Sequence, residues 1–301
     1  MSTRRSPARR RYANNRSGSA ASPARRAAAS PARRAAATWL AAAAILALTA
    51  ACSSGDSGDA GTSGDPEPSD TAGEGGGDQT LTVFAAASLT EPMEDLLEMF
   101  AEDHPDVRIE PAVYDGSSTL VTQLTEGAQA DVLATANTST MEDLVAAFPD
   151  QNLEPTLFAT NTLVIAVPEG NPLGITSLAD LDEATFVTCA PEVPCGAAAT
   201  ELFDLAGFGG EPVSLEQNVT AAAERVVSGE VDAALVYATD VTSRENELEA
   251  VVPGEAAEVV NEYPIVALQD SVLGQELVDL VMSEDGMHVL VGYGFGVPEA
   301  Q

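Results

Sequence analysis

A strand that ends at small residues and turns straight into a helix recurs along this chain. It occurs first at Ala85-Ala-Ala-Ser88-Leu-Thr90-Glu-Pro92, behind the apolar run Leu81-Thr-Val-Phe84, and similar helix starts follow at three later points. Strand and helix therefore alternate, which drives the chain toward an α/β architecture with mainly parallel sheets. Each such junction leaves several backbone N–H groups without intrahelical acceptors, and such a junction is a seat for an anion. At a single junction the ordinary reading is that Ser88 or Thr90 caps the helix. Recurrence is what raises the functional reading above it.

The periodicity places a helix over about 91–103, with Met93, Leu96, Leu97, Phe100 and Ala101 on its apolar face. Val107 to Val113 reads as the next strand, Ser117-Ser118-Thr119 opens a helix carrying Leu120, Val121 and Leu124, and Asp131 to Ala134 is a strand. Asn137 caps a helix through Met141, Leu144 and Val145. Leu163-Val-Ile-Ala-Val167, stopped by Pro168, looks like a strand buried on both faces and crosses into a second domain. There the pattern gives a strand at 186–189, helices at 197–206 and 219–227, and a strand at 233–237. Tyr263 to Leu268 crosses back, and helices at about 272–283 and 284–293 return to the first domain. Two crossings imply two hinged lobes, 80–161 with 262–301 and 162–261, and a ligand cleft between them.

Charge divides the chain at Cys52. Of 13 basic residues, all arginine, ten precede it, whereas all 47 acids follow it. Residues 1–51 read as a leader: an arginine-rich segment repeating Ser-Pro-Ala-Arg-Arg, then the apolar run Trp39 to Ala51, too short to span a membrane but suited to a signal-peptide core. Leu48-Thr-Ala-Ala-Cys52 resembles a bacterial lipobox, so Cys52 is expected to receive lipid, and residues 52–79 form a flexible tether reaching roughly 30 Å. Lipid on Cys52 places the domain at the outer face of the cell membrane. Once the leader is removed, 3 arginines face 47 acids, a net charge of −44. So acidic a surface excludes nucleic acid as a partner, and its lack of lysine fits life at high salt.

With three basic residues left, an anion site must rely on neutral donors. Hydroxyls, free amides and helix dipoles suffice for an oxyanion. The candidates are Ser88, the turn Asp115-Gly116-Ser117-Ser118-Thr119, the helix start Pro194-Cys195-Gly196-Ala197, Asn218-Val219-Thr220, and Tyr237 at a strand end. Tyr237 also reads, on its own, as an aromatic that merely packs its ring. Cys189 and Cys195 stand six positions apart. Outside the cytoplasm they are expected to form a disulfide. The alternative, a metal-binding thiol pair, lacks partners, because His104 and His288 sit in unrelated contexts.

Phe84-Ala-Ala-Ala-Ser-Leu-Thr, Ser117-Ser-Thr-Leu, Pro191-Glu-Val-Pro-Cys-Gly196, Leu235-Val-Tyr-Ala-Thr-Asp240 and Tyr263-Pro264, in that order, resemble the extracytoplasmic molybdate-binding proteins of ABC importers. The resemblance covers about Thr80 to Pro298. It implies a two-lobed, type II periplasmic-binding-protein-like fold and a monomeric receptor, not an enzyme and without a cofactor. Such a receptor closes on molybdate or tungstate and passes it to a membrane permease. Carried over by motif, the oxyanion is held by Ser88 and Ser117, by the backbone amides of Cys195 and Val219, and by the Tyr237 hydroxyl. Two positions depart from the family pattern: Gly116 replaces a common serine, and Cys195 a common alanine. Sulfate, phosphate and ferric ion are alternative ligands. A secreted serine hydrolase using Ser88 or Ser117 is the rival class, and it would need a general base.

Overall fold

The computed structural model describes residues 79–298. The leader, Cys52 and nearly all of the tether expected from the sequence lie outside the described residues.

The first half of the described chain holds β1 (Gln79–Leu81), β2 (Val83–Ala86), α1 (Thr90–Asp103), β3 (Val107–Ile109), β4 (Val113–Asp115), α2 (Ser117–Thr125), β5 (Val132–Ala134), α3 (Thr138–Ala147) and β6 (Thr156–Pro168). The rest holds β7 (Phe186–Cys189), α4 (Pro194–Ala206), β8 (Ser214–Glu216), α5 (Val219–Val227), β9 (Ala233–Tyr237), α6 (Ala238–Thr242), β10 (Leu248–Val251), β11 (Val260–Ala267), α7 (Val272–Val281) and α8 (Glu284–Gly292). Nine strands form one sheet in the order β4-β2-β5-β11-β6-β9-β7-β8, with β10 pairing separately on β6. β2 runs parallel to β4 and β5, and β7 parallel to β8 and β9. Between these groups, β11 is antiparallel to both β5 and β6, and β6 to β9.

The long strand β6 joins the two parallel groups. Its residues Thr156 to Thr162 pair with β11, and Leu163 to Ala166 pair with β9. The sequence reading recognised only the 163–167 end, where both faces are aliphatic and buried. The first half alternates with polar residues such as Thr160 and Asn161, which concealed it. Two other boundaries differ. The stretch read as one strand over 107–113 is broken into β3 and β4, which join different sheets. α4 begins at Pro194 rather than Ala197, proline being favoured in a first helical turn.

Helix α1 buries Met93, Leu96, Leu97 and Phe100 on one stripe, while Ala101, expected on that face, is exposed. α2 and α3 cover the other side of the sheet, packing Leu120, Leu124, Met141 and Leu144 against Phe84, Leu133 and Val266. The expected Cys189–Cys195 disulfide is present, linking the end of β7 to the first turn of α4. A Cβ on Gly196 would lie 1.9 Å from the Ala190 carbonyl oxygen, so only glycine lets this turn sit so close to the strand end. Chain-entropy arguments give so short a loop a stabilisation of about 2 kcal/mol. Denaturant unfolding with and without reductant should show a loss of that size.

Candidate binding site

One small cavity of about 10 Å³ collects the ends of strands and the beginnings of helices from both parallel groups. Its lining includes Ser88, Ser117, Cys195, Val219 and Tyr237, all five of them buried. The residues nominated from sequence thus line one pocket. Among the described residues that line it there is no arginine.

The hydrogen bonds fix what each group has left to offer. Ser88 lies in a 3-10 turn, Ala87–Leu89, leading into α1, and the N-cap position of α1 is Leu89, with no side-chain cap. Neither Ser88 nor Thr90 therefore caps the helix. Thr90 Oγ1 donates back to the Ala87 carbonyl, and Ser88 Oγ lies 3.0 Å from the Tyr263 hydroxyl. Ser117, first residue of α2, accepts the Ala136 N–H at 3.0 Å, which leaves its own proton free. Tyr237 Oη is buried with no protein partner among the described residues. The Tyr263 hydroxyl stands near enough to bear on Tyr237's acidity, yet it is engaged with Ser88 and not in bonding geometry with Tyr237. Burial, then the neighbouring Tyr263 and the Asp240 carboxyl, hold the Tyr237 pKa well above the usual phenol value. The hydroxyl thus stays protonated, and a protonated buried hydroxyl is a donor awaiting an acceptor.

Cys195 and Val219 contribute through the backbone. They occupy the second position of α4 and the first of α5, where an amide has no acceptor inside its own helix. Asn218 caps α5, its Oδ1 accepting the Ala221 N–H at 2.9 Å, and its Nδ2 reaches across the pocket to Asp115 Oδ1 at 2.8 Å. That carboxylate oxygen also accepts the Gly116 N–H at 2.7 Å, so two neutral donors engage the one acid among the described residues that line the pocket. Ser118 Oγ donates to the Glu192 carbonyl at 2.6 Å, a second bond across the same gap. Between them a Cβ built on Gly116 would stand 2.3 Å from the Gln217 carbonyl oxygen. The serine that the family resemblance favours at Gly116 does not fit this approach.

Asp240, in the first turn of α6, accepts the Tyr237 N–H at 2.9 Å. Burial, opposed by that bond and by Arg244 and reinforced by Glu91, pushes its pKa up to about 7. The folded protein thus holds this proton more tightly than the unfolded chain does. The resulting stability is complete below the unfolded carboxyl pKa and is lost as pH rises through about 7. Thermal unfolding between pH 5 and 8 should show the native protein losing stability relative to Asp240→Asn. An unchanged difference across that range would place the carboxyl in water.

Sequence reasoning left Tyr263, Asp240 and Ala136 outside the site, and it nominated the stretches that hold Asp115 and Asn218 without seeing that the two side chains pair. Tyr263 stood in plain view as an aromatic before a proline on a crossing strand, but its role depends on a partner 175 positions away.

A mixed sheet whose helix starts converge on one buried, donor-lined pocket defines a protein of the solute-binding class. The chain belongs to the family described as bacterial extracellular solute-binding proteins, whose pattern matches residues 81–296. It is 40% identical over 235 residues to the protein named molybdate-binding protein ModA of Mycobacterium tuberculosis, covering 76% of this chain and 89% of that one. The fold is similar to the periplasmic molybdate-binding protein of Azotobacter vinelandii, with a TM-score of 0.62 at 16% identity, covering 73% of this chain and 100% of that one. It is equally similar to the sulfate-binding protein SubI of Mycobacterium tuberculosis, with a TM-score of 0.63 at 16% identity, covering 73% and 88%.

Proposed function

We propose that this protein is an extracytoplasmic receptor that captures molybdate or tungstate and delivers it to an ABC permease. The observation that carries the reading is the buried, unpartnered Tyr237 hydroxyl facing the same pocket as the Ser88 and Ser117 hydroxyls, with no cationic side chain lining it. Ser88, Ser117 and Tyr237 donate through their hydroxyls, Cys195 and Val219 through their amides, so that each oxygen of a tetrahedral dianion exchanges water for a fixed donor. The relative at 40% identity, named for molybdate, favours that ion over sulfate. In this reading residues 80–161 with 262–301 form one lobe and 162–261 the other, β6 and β11 are the hinge, and the Asp115–Asn218 bond latches the cleft. Cys52 carries the lipid that holds the tethered domain at the cell membrane.

The hydrolase alternative loses support from the partners of its nucleophiles. Ser88 faces a tyrosine hydroxyl and Ser117 a backbone N–H, and neither group takes a proton as a general base. Calorimetric titration of the purified protein is the test of the receptor. Molybdate and tungstate should bind with sub-micromolar affinity, and sulfate about a hundredfold more weakly, because fixed donors discriminate by oxygen spacing. Equal affinity for sulfate would remove the molybdate assignment.

A further inference from the structure

We propose that Tyr263 is a positioning residue for this pocket: it commits Ser88 as a hydrogen-bond donor and thereby selects oxyanions that carry no proton. The inference rests on the oxyanion reading above.

Tyr263 is fully buried on β11. Its ring is held edge-on by Phe295 at 5.4 Å, Tyr237 at 5.8 Å and Phe158 at 6.3 Å between centroids. This packing holds its hydroxyl 3.0 Å from Ser88 Oγ, a bond that either oxygen can donate. A bound oxyanion without protons decides the direction, because it only accepts. Ser88 then gives its proton to the anion, and Tyr263 gives its own to Ser88. Asn161, which also bears on the Tyr263 hydroxyl, can act on it only as a donor: its oxygen accepts the Thr162 N–H, and its nitrogen gives one hydrogen to Thr239 Oγ1 and keeps a second for the Tyr263 oxygen, which turns the Tyr263 proton toward Ser88.

Ser117 is prepared in the same sense from a different direction. The Ala136 N–H occupies an acceptor position on its oxygen, and the Ala136 carbonyl is itself held by Asn261 Nδ2 at 2.9 Å. The Ser117 oxygen has thus received a donor before an anion arrives, and the Ser88 oxygen receives one from Tyr263 as an unprotonated anion binds. Sulfate satisfies such a pocket. Hydrogen phosphate, of equal charge near pH 8 and similar size, brings a proton that needs an acceptor, and a donor facing a donor is a buried group left unpaired.

The test compares the full chain with Tyr263→Phe by calorimetry at pH 8 against molybdate, sulfate and hydrogen phosphate. The variant keeps the ring and its three aromatic contacts but frees the Ser88 oxygen. Molybdate affinity should fall about tenfold, and the preference for sulfate over hydrogen phosphate should narrow about tenfold, the size of one hydrogen bond. Equal weakening of both anions, or no change, would overturn the proposal, since a merely structural tyrosine does not tell them apart. Placing 3-fluorotyrosine at position 263 retains the fold and supplies a more acidic phenol. The sulfate preference should then widen, and a preference that stays put would overturn the proposal too. Native protein that binds none of the three anions would end the oxyanion reading and this inference together. Native protein that binds while the variants keep its selectivity ends only this one.

Discussion

Gly116→Ala is expected to weaken oxyanion binding by about thirtyfold or more while the unfolding temperature of the free protein falls by no more than a few degrees. The backbone at Gly116 has φ −58° and ψ 132°, which alanine adopts without strain, so the local chain does not object. The obstacle lies across the pocket, where the new Cβ would stand 2.3 Å from the Gln217 carbonyl oxygen. That oxygen belongs to the backbone leading into α5 and cannot swing aside as the tip of a long side chain would. Ordinary contact needs roughly 1 Å more, and the strand and helix ends on the two sides of the pocket must part by that much. Donors come from both sides, so a displacement of about 1 Å spoils several bonds at once, and misplacements of that size cost about a hundredfold in well-built sites. What the free protein loses is the pair of bonds Asn218 to Asp115 and Ser118 to Glu192, each contributing about 1 kcal/mol. Titration calorimetry with molybdate and scanning calorimetry of the free protein separate the two effects. Native affinity in the variant would mean that the bound state does not keep this approach.

For Tyr237→Phe the expected loss of affinity is about 1.5 to 3 kcal/mol, the range for a hydrogen bond to a charged acceptor. The free protein should respond in the opposite sense. Its Tyr237 hydroxyl is buried without a partner, a condition that costs free energy, while the ring packs against Tyr263 whether or not the oxygen is present. Removing the oxygen should leave the unfolding temperature unchanged or raise it. A residue held for packing alone would lose stability and keep affinity. Comparison at matched high salt removes the long-range repulsion between the acidic protein and the anion.

Residues whose neighbours in sequence are also their neighbours in function were legible beforehand. The stripe Met93, Leu96, Leu97, Phe100 and the cap Asn137 follow from local spacing, and the structure has them as expected. Ser88, Ser117, Cys195, Val219 and Tyr237 lie in stretches that local pattern marks as strand ends or helix starts, the family resemblance singled them out within those stretches, and the structure brings them to one pocket. Tyr263 and Ala136 were not legible, and Gly116 was so as part of its turn but not for its close approach, because their parts depend on partners far along the chain: the Ser88 hydroxyl, the Ser117 oxygen and the Gln217 carbonyl. Strands β8 and β10 and the polar first half of β6 escaped for another reason. They are short or half-polar, and their pairing partners, not their composition, make them strands.

A pocket that relies on neutral donors sets this protein apart from receptors that draw anions in with arginine. In a chain whose acids outnumber its bases 47 to 13, the far field opposes every approaching anion, and no local cation compensates at the pocket wall. Added salt removes the opposition and leaves the short-range hydrogen bonds intact. Capture should therefore quicken as ionic strength rises, the reverse of the usual behaviour of electrostatically steered binding. On the proposed oxyanion reading, brine, which slows an arginine-lined receptor, should be the medium in which this one collects its ligand fastest.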